Sequence, residues 1–573
     1  MANDSRPRVS AGLLGAILDA LPPRLRRRLD AEPAMAESWE WRVADQEVVV
    51  THEGATVILR PEGGTVSSSA QASCSCLLAP ACLHLSAVLL ALEVSSEVIV
   101  APEVAPVAKT SRKTAAGPAT ESMITAAKLI SAAVGRILEV GASSAGVVVT
   151  GEVLRAVHSC QVAGLHRCAA AGLRVARDLG RLRADEPEFR LRDLRNDIAD
   201  ALATSRRLAR GDSGADVVGT ARRAYESVGS LRLYGLFSEP IISRSGYAGC
   251  VTYMVDRDQR IWALSDVMPG EASRAVQAYG GPAGIGDVSL SHRESSRSGV
   301  HIGEARASED RRLGRGQQVR AVRAAGVAWT EDPINALFAA PLADQLARAW
   351  AGYELPDTVR PQGETFVFVE AKVLGERRGQ LMIVVDGLPL TCAAAIDNPE
   401  ASYRDNLRVL SEAPGLALRV VGRPILDTPS TIELLAVGVV AEGGLDLPAN
   451  WAGRVNIGLD PLTRNQVHPG APPVVRSHGH SVPDVLDPLA RRLERVVVGG
   501  RLTMGDAARP SIDREIAVLR RRHLPTAAAV LSDLAASSVS RAPSADVAER
   551  WLAAAIYETT AQRRLAVRRW IAG

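Results

Sequence analysis

Three cysteines and one histidine lie within eleven residues of this 573-residue chain, in the pattern C-x-C-x5-C-x-H formed by Cys74, Cys76, Cys82 and His84. Thiolates and imidazoles are the ligands that zinc prefers, and four of them complete a closed, tetrahedral structural site. The whole chain contains only 7 cysteines, so three in one short segment argue against coincidence. We therefore predict one structural Zn²⁺ ion held by these four residues. The alternatives are a buried cysteine cluster without metal, or a disulfide.

A β-hairpin is predicted just before the ligands. Residues 48–50 and 56–59 are rich in valine and isoleucine, and His52-Glu53-Gly54 between them is a plausible turn. In an extended chain, side chains two residues apart point the same way. Cys74 and Cys76 can therefore offer both sulfur atoms to one ion.

A helix is predicted to follow. Leu85, Val88, Leu89 and Leu92 recur at the spacing of an amphipathic helix. Cys82 and His84 would then lie in its first turn, where free N–H groups and the helix dipole favour a thiolate. Because such a β-β-α unit buries little core, we expect zinc to contribute on the order of 10 kcal/mol to its folding.

This ligand spacing, followed by a helix rich in leucine and alanine, resembles the SWIM-type zinc finger over roughly residues 40–95. The resemblance implies a zinc-stabilised module that binds DNA or protein and is not itself an enzyme. Leu83 departs from the pattern, because the family usually carries a basic residue between the last cysteine and the histidine. The departure weakens the case for phosphate contact by the finger and leaves the metal ligands unaffected.

The size of the chain and its N-terminal finger are similar to those of large bacterial SWIM proteins. These are often encoded beside MoxR-type AAA+ ATPases and von Willebrand A-domain proteins. The resemblance implies a protein partner of one of these two kinds, with the ATPase chemistry supplied by the partner.

The remaining sequence shows no enzymatic motif. None of the four lysines follows a glycine, which excludes a P-loop, and neither H-E-x-x-H nor G-x-S-x-G is present. We identify no catalytic and no organic cofactor-binding residues, and predict that the protein is not an enzyme. A formal charge of +3 and 4% aromatic residues are not typical of a dedicated nucleic-acid binder.

We expect a cytoplasmic protein without a membrane association. The N-terminus shows no basic-then-apolar leader, and Glu93 and Glu97 interrupt the apolar stretch 85–101. In a reducing compartment, clustered cysteines favour a metal site over a disulfide.

The predicted fold class is α+β and multidomain, with a small β-β-α zinc module, an α-helical region, a β-rich barrel or sandwich-like region and a helical C-terminus. The predicted boundaries are an N-terminal helical segment (1–38), the zinc module (39–100), a linker (101–122), the α-helical region (123–212), the β-rich domain (229–445), a Pro/Gly-rich connector (446–482) and the helical C-terminal region (483–573).

The sequence therefore predicts a zinc-binding, non-enzymatic binding or scaffold component. The alternative is a DNA-binding accessory factor that works with a helicase. Clusters at Arg520–Arg522 and at Arg563, Arg564, Arg568 and Arg569 suit helix C-termini, and they are also the places where an acidic partner or DNA would bind. We expect any DNA binding to be weak and non-specific.

Overall fold

A computed structural model describes residues 6–44, 47–95, 118–186, 189–219, 224–243, 246–285, 290–314, 320–357, 359–425, 428, 430–440, 444–475, 485–539 and 544–572. The chain forms two compact units. Unit 1 contains Met1–Ala221 and Pro483–Thr560, and unit 2 contains Arg222–Val482 and Ala561–Gly573. Residues 101–117 of the predicted linker lie outside the described residues, and the predicted domain boundaries stay predictions.

The helices are α1 (Ala11–Ala20), α2 (Pro23–Ala31), α3 (Leu83–Leu90), α4 (Glu121–Val140), α5 (Val147–Val162), α6 (His166–Arg183), α7 (Leu191–Ala209), α8 (Ala215–Val218), α9 (Arg274–Gly280), α10 (His292–Ser295), α11 (Ile334–Ala339), α12 (Leu342–Glu354), α13 (Tyr403–Ser411), α14 (Asp487–Gly499), α15 (Arg509–Arg521), α16 (Pro525–Val539) and α17 (Ser544–Ala572).

The strands are β1 (Arg8–Val9), β2 (Glu40–Val43), β3 (Val48–His52), β4 (Ala55–Leu59), β5 (Thr65–Val66), β6 (Ala72–Cys74), β7 (Glu93–Val94), β8 (Glu226–Ile242), β9 (Tyr247–Val255), β10 (Ile261–Pro269), β11 (Gly299–Ala307), β12 (Arg320–Ala324), β13 (Val367–Arg377), β14 (Gln380–Val385), β15 (Leu388–Ala393), β16 (Ala417–Pro424), β17 (Thr431–Gly438) and β18 (Arg454–Asn456).

Two small sheets surround the predicted metal ligands in unit 1. The antiparallel sheet β2-β3-β4-β6 contains the predicted hairpin, with Val50 opposite Val57. The second sheet places the two-residue β1 in parallel between β5 and β7. The N-terminal segment, predicted as helical, thus also contributes a strand. That strand pairs with β5, which precedes the four ligands in the sequence, and with β7, which follows them.

The rest of unit 1 is helical. Ile130, Val134 and Ile137 form a buried stripe along α4. Trp551 of α17 is buried, and its indole N–H donates to the carbonyl of Leu493 in α14 at 3.2 Å. Consequently the first part of the last helix belongs to the core of this unit.

Unit 2 begins with a five-stranded antiparallel sheet in the order β10-β9-β8-β11-β12. Its strands β9 and β10 form a hairpin, with Val255 opposite Ile261. Strand β8, which runs for 17 residues and contains Gly229, Gly235 and Pro240, is not predicted from the sequence. Glycine and proline are unusual inside strands, and they interrupt the alternation of side chains by which a strand is recognised.

A closed barrel forms the second half of unit 2. Its five strands follow the ring order β15-β14-β13-β16-β17, and a parallel β15–β17 pairing, with Cys392 opposite Ile432, closes the ring. Helix α13 connects the third strand of the ring in chain order to the fourth. This connectivity is that of the OB-fold barrel. Of the two predicted alternatives for the β-rich region, barrel and sandwich, the barrel is present.

The barrel interior is apolar. Alternate residues of β13 point inward, among them Val369 and Val373, and pack with Leu418 and Val420 of β16. The side chain of Tyr403, at the start of α13, is 1% exposed in the same core. The barrel therefore contains a hydrophobic core of its own.

Candidate metal centre

Strand β6 positions the first two cysteines. Cys74 is its last residue and lies opposite Val57 of β4. The next residue, Ser75, is fixed to Thr56, since its N–H donates to the Thr56 carbonyl at 2.9 Å and its hydroxyl accepts from the Thr56 N–H at 2.8 Å. These bonds hold the chain extended as far as Cys76.

Helix α3 positions the other two ligands. Cys82 is its N-cap, and the Cys82 sulfur accepts a hydrogen bond from the N–H of Leu85 at 3.4 Å. His84 is the second residue of the helix. The prediction that Cys82 and His84 lie at the first turn of a helix is confirmed, although the helix ends at Leu90, before Leu92.

The four predicted ligands converge. The sulfur atoms of Cys74, Cys76 and Cys82 and one ring nitrogen of His84 all lie within 4.8 Å of one another. All three cysteines are free thiols, so the structure contains no disulfide at this place. Such a group of atoms can hold one metal ion.

One polar atom of this cluster has no hydrogen-bond partner among the described residues. Nδ1 of His84 is buried and makes no hydrogen bond. An unpartnered buried nitrogen is uncommon, because its desolvation is not offset. Three sulfur atoms and one nitrogen form the donor set of closed structural zinc sites, and the residues present therefore fit a zinc ion.

Burial and hydrogen bonds together shift the pKa values of the thiols. It raises the pKa of Cys74, and it raises the pKa of the more deeply buried Cys82 to about 12. Burial also opposes ionisation of Cys76, but a hydrogen bond from the backbone of Leu78 and the neighbouring thiols leave its pKa lowered. Burial, followed by the nearby His52, lowers the pKa of His84.

Trp39 packs between two imidazole rings beside the cluster. It stacks on His52, with ring centroids 4.4 Å apart and planes inclined by 6°, and it tilts against His84 at 5.9 Å. The indole is buried, so it restricts the orientation of the His84 ring. Trp39 is not predicted from the sequence, since it lies 45 positions before His84 and no local pattern connects the two.

The segment between the second and third cysteines is apolar and exposed. We call Leu77–Ala81 the knuckle loop. Leu77 is fully exposed and Leu78 is 61% exposed. By contrast, Leu83, at the position where the SWIM pattern carries a basic residue, is 8% exposed and is not available for contact with a ligand.

Three arginines on α2 form a cationic surface that the sequence analysis missed. Arg24, Arg27 and Arg28 are exposed at positions i, i+3 and i+4 of one helix, and none of them forms an ion pair with any described carboxylate. The acidic residue of this helix, Asp30, accepts a hydrogen bond from the Val147 N–H at 2.6 Å. Helix α2 packs against α3, so this surface belongs to the same part of unit 1 as the cluster.

The C-terminal arginines lie on the second part of α17, in unit 2. Arg564 and Arg568 are exposed one helical turn apart, and no described residue pairs with either. Arg563 is partly buried. The side chain of Arg569 lies outside the described residues. In unit 1, Arg520 and Arg521 are exposed at the end of α15, as expected for cations at a helix C-terminus.

Comparison of the chain with protein-family models, with curated proteins and with solved structures finds no match. Among the described residues, none of the helices combines the length and the apolar character needed to cross a membrane.

Proposed function

We propose that the protein is a non-enzymatic binding or scaffold component stabilised by one structural zinc ion of the SWIM type. The observation that carries the proposal is the convergence of four ligand atoms from Cys74, Cys76, Cys82 and His84 within 4.8 Å. Protein atoms fill all four positions of a tetrahedral site, which leaves no open position for a substrate. The role of the metal is therefore to hold the knuckle loop and the start of α3 in place.

Zinc content tests this proposal directly. Protein purified without chelator should contain about one zinc ion per chain by elemental analysis, because four ligands complete one site. Cys76→Ser and His84→Ala should each lose the metal, whereas Ser73→Ala, an exposed neighbour in β6, should retain it. Wild-type protein that contains no zinc would contradict the proposal.

The partner we favour is a protein. The knuckle loop places Leu77 and Leu78 in solvent, and adjacent exposed leucines are typical of surfaces that bind other proteins. Residues 1–100 contain 8 arginines and 12 acidic residues, a formal charge of −4, which disfavours a polyanion. The resemblance to large bacterial SWIM proteins favours an AAA+ ATPase or a von Willebrand A-domain protein as this partner.

A pairwise assay with the product of a neighbouring AAA+ or von Willebrand gene tests the partner. The double variant Leu77→Ser/Leu78→Ser should weaken the complex at about 0.15 M salt, since an apolar contact is not screened, and should retain zinc. The double variant Val162→Ser/Leu502→Ser, which changes exposed apolar residues elsewhere in unit 1, is the matched control. Equal weakening by both double variants would exclude the knuckle loop as the contact.

The second candidate function is a DNA-binding accessory factor that works with a helicase. Two sets of exposed, unpaired arginines favour it: those of α2, and Arg564 and Arg568 of α17. Contacts to the phosphate backbone make affinity fall steeply with salt, by a slope of about 0.9 for each contact. We therefore expect DNA binding to be weak and non-specific at about 0.15 M salt.

A duplex titration over a range of salt concentrations distinguishes the two functions. Arg564→Glu/Arg568→Glu and Arg24→Glu/Arg27→Glu should each lower any residual affinity and reduce the salt slope by about 2, if both members contact phosphates. Both variants should retain zinc. Sequence-specific binding at nanomolar affinity and physiological salt would replace the scaffold proposal with the DNA-binding one.

A further inference from the structure

The outer face of the barrel in unit 2 contains an open groove with a volume of about 670 Å³. Strands β13, β14 and β16 form its floor, and the segment 472–474 forms one wall. Cavities of this size are typical of ligand sites. The groove opens on the outer face of the barrel, because Glu370 and Lys372 of β13, which line it, alternate with the inward-facing Val369 and Val373. Two residues of the barrel core, Ala371 and Leu418, also line it.

One pair of charges in the groove is already satisfied. The guanidinium of Arg419 donates to Oε1 of Glu370 at 2.8 and 3.0 Å and to Oδ1 of Asn335 at 2.8 Å. It also donates to the backbone carbonyl of Trp329. The guanidinium of Arg419 therefore uses most of its hydrogen-bond donors within the protein and has few left for a ligand.

Two other charges in the groove are not satisfied. Neither the ammonium of Lys372 nor the carboxylate of Asp386 has a hydrogen-bond or ion-pair partner among the described residues. Lys372 is partly buried and Asp386 is exposed. Asp386 and Gly387 form the two-residue turn between β14 and β15, both with positive φ (49° and 84°). Such Asp-Gly turns have a well-defined backbone conformation, which fixes the position from which the Asp386 side chain extends.

The spacing of the two backbone positions that carry these charges fits an extended peptide. Lys372 lies opposite Val384 in the ladder, and Asp386 is two residues further along. Diagonal neighbours of this kind lie about 7–8 Å apart. In an extended chain, residues i and i+2 point the same way at nearly the same distance, about 7 Å.

The other lining residues exclude competing ligand classes. None of the described residues that line the groove is aromatic, so they offer bases and sugar rings nothing on which to stack. The uncommitted charges are one cation and one anion, which does not favour a polyanion. The apolar walls include Val384, Val440 and Val474, of which Val474 is 85% exposed. This combination fits aliphatic side chains that alternate with charged ones.

We propose that this groove binds an extended polypeptide segment, with an acidic side chain of the peptide at Lys372, a basic side chain two residues away at Asp386, and aliphatic side chains against Val440 and Val474. The site involves none of the zinc ligands. It is therefore a second binding site, independent of the proposed function of the zinc module.

An array of nine-residue peptides tests the proposal, with fluorescence polarisation on the full chain at about 0.15 M salt. The central five residues are Val-Glu-Val-Lys-Val. In the variant peptides, Lys replaces the Glu, or Gln replaces the Glu, the Lys or both. Wild-type protein should prefer peptides with Glu and Lys two apart. Lys372→Glu should shift the preference to peptides with two lysines, and Asp386→Asn, which the turn accommodates, should weaken binding of the Glu/Lys peptides by about three- to fivefold.

Two controls keep the result interpretable. Lys128→Gln removes an exposed lysine of α4 in unit 1 and should not change peptide binding. His84→Ala should remove zinc and leave peptide binding intact, so failure of the zinc proposal and failure of the groove proposal are separate results. The proposal would be overturned by any of three results. The first is the absence of saturable binding up to about 1 mM peptide, and the second is a peptide preference that Lys372→Glu does not change. The third is displacement of the peptide by a single-stranded oligonucleotide.

Discussion

The ligand-bearing region of unit 1 and the barrel of unit 2 each combine a sheet with one helix, but they differ in what they bury. Strands β13–β17 enclose a continuous hydrocarbon core that includes Leu418 and Tyr403. Segment 72–84 leaves Leu77 and Leu78 in solvent and turns three thiols and an imidazole toward one point. The length of each segment therefore determines how it is stabilised. The five strands of the barrel are long enough together to enclose a hydrophobic core, whereas four ligands can fix a loop of a few residues.

Metal removal should produce the largest difference between the two regions. Hydrogen exchange measured with and without a zinc chelator should show lost protection in β6, the knuckle loop and the first turn of α3, because a structural zinc contributes on the order of 10 kcal/mol. The barrel should retain its protection. Cys76→Ser should reproduce the effect and Ser73→Ala should not. Equal loss of protection in both regions would show that the barrel depends on the metal.

A cavity in the barrel core should destabilise the barrel and leave the metal region unchanged, and the loss of stability should be smaller than that caused by metal removal. Leu418→Ala removes a side chain that is 1% exposed, and such truncations cost about 2–5 kcal/mol. Zinc content should not change. Leu374→Ala, on the outer face of β13 at 36% exposure, is the matched control and should cost less than about 1 kcal/mol. Urea unfolding followed together with zinc release measures both quantities, and zinc loss from Leu418→Ala would contradict the comparison.

The two regions also differ in how far the sequence predicts them. The convergence of Cys74, Cys76, Cys82 and His84 was predictable because metal chemistry restricts residue types and spacing within eleven positions. The hairpin β3–β4 and helix α3 were predictable from local periodicity. The barrel was predictable only as a strand-rich region with two alternatives, because the β15–β17 pairing that closes it joins residues about 40 positions apart and depends on tertiary packing.

Residues that act on the site from a distance were not predictable. Trp39, the first residue of the predicted zinc module, contacts the ligand region by stacking, and β1 of the N-terminal segment reaches it through a two-residue ladder. Neither carries a local signal. The same holds for the groove charges, since Lys372 and Asp386 become neighbours only through the β13–β14 register.

Substitution of Trp39 tests whether packing against His84 contributes to zinc affinity. We expect Trp39→Ala to lower zinc affinity by about tenfold, because groups that orient a metal-binding histidine typically affect affinity by 10–100-fold. Trp39→Phe retains an aromatic ring against His52 and His84 and should be affected less. Competition with a chromophoric chelator measures the affinities. Unchanged affinity in Trp39→Ala would show that the ligands alone determine the site.

Acidification should affect the two regions in opposite directions, and this is the smallest effect. In the metal region, protons compete with zinc for sulfur and nitrogen, so stability falls as pH falls. In the barrel, burial raises the pKa of Glu433 above its ordinary value of 4.5, although Arg423, which donates to it at 2.9 Å, acts against this shift. The folded state then binds more protons than the unfolded state just above pH 4.5. This contribution to stability therefore falls as pH rises through the folded pKa.

Glu433→Gln removes the titrating group and should flatten that part of the pH profile. The change should be less than about 1 kcal/mol, because Glu433 keeps a quarter of its side-chain surface in solvent. Urea unfolding of the zinc-free His84→Ala protein, with and without Glu433→Gln, isolates the barrel contribution from metal release. A pH profile that Glu433→Gln leaves unchanged would assign the pH response of the barrel to other groups. A profile that reverses sign would show that Arg423 outweighs burial at this position, so that the ion pair and not desolvation governs Glu433.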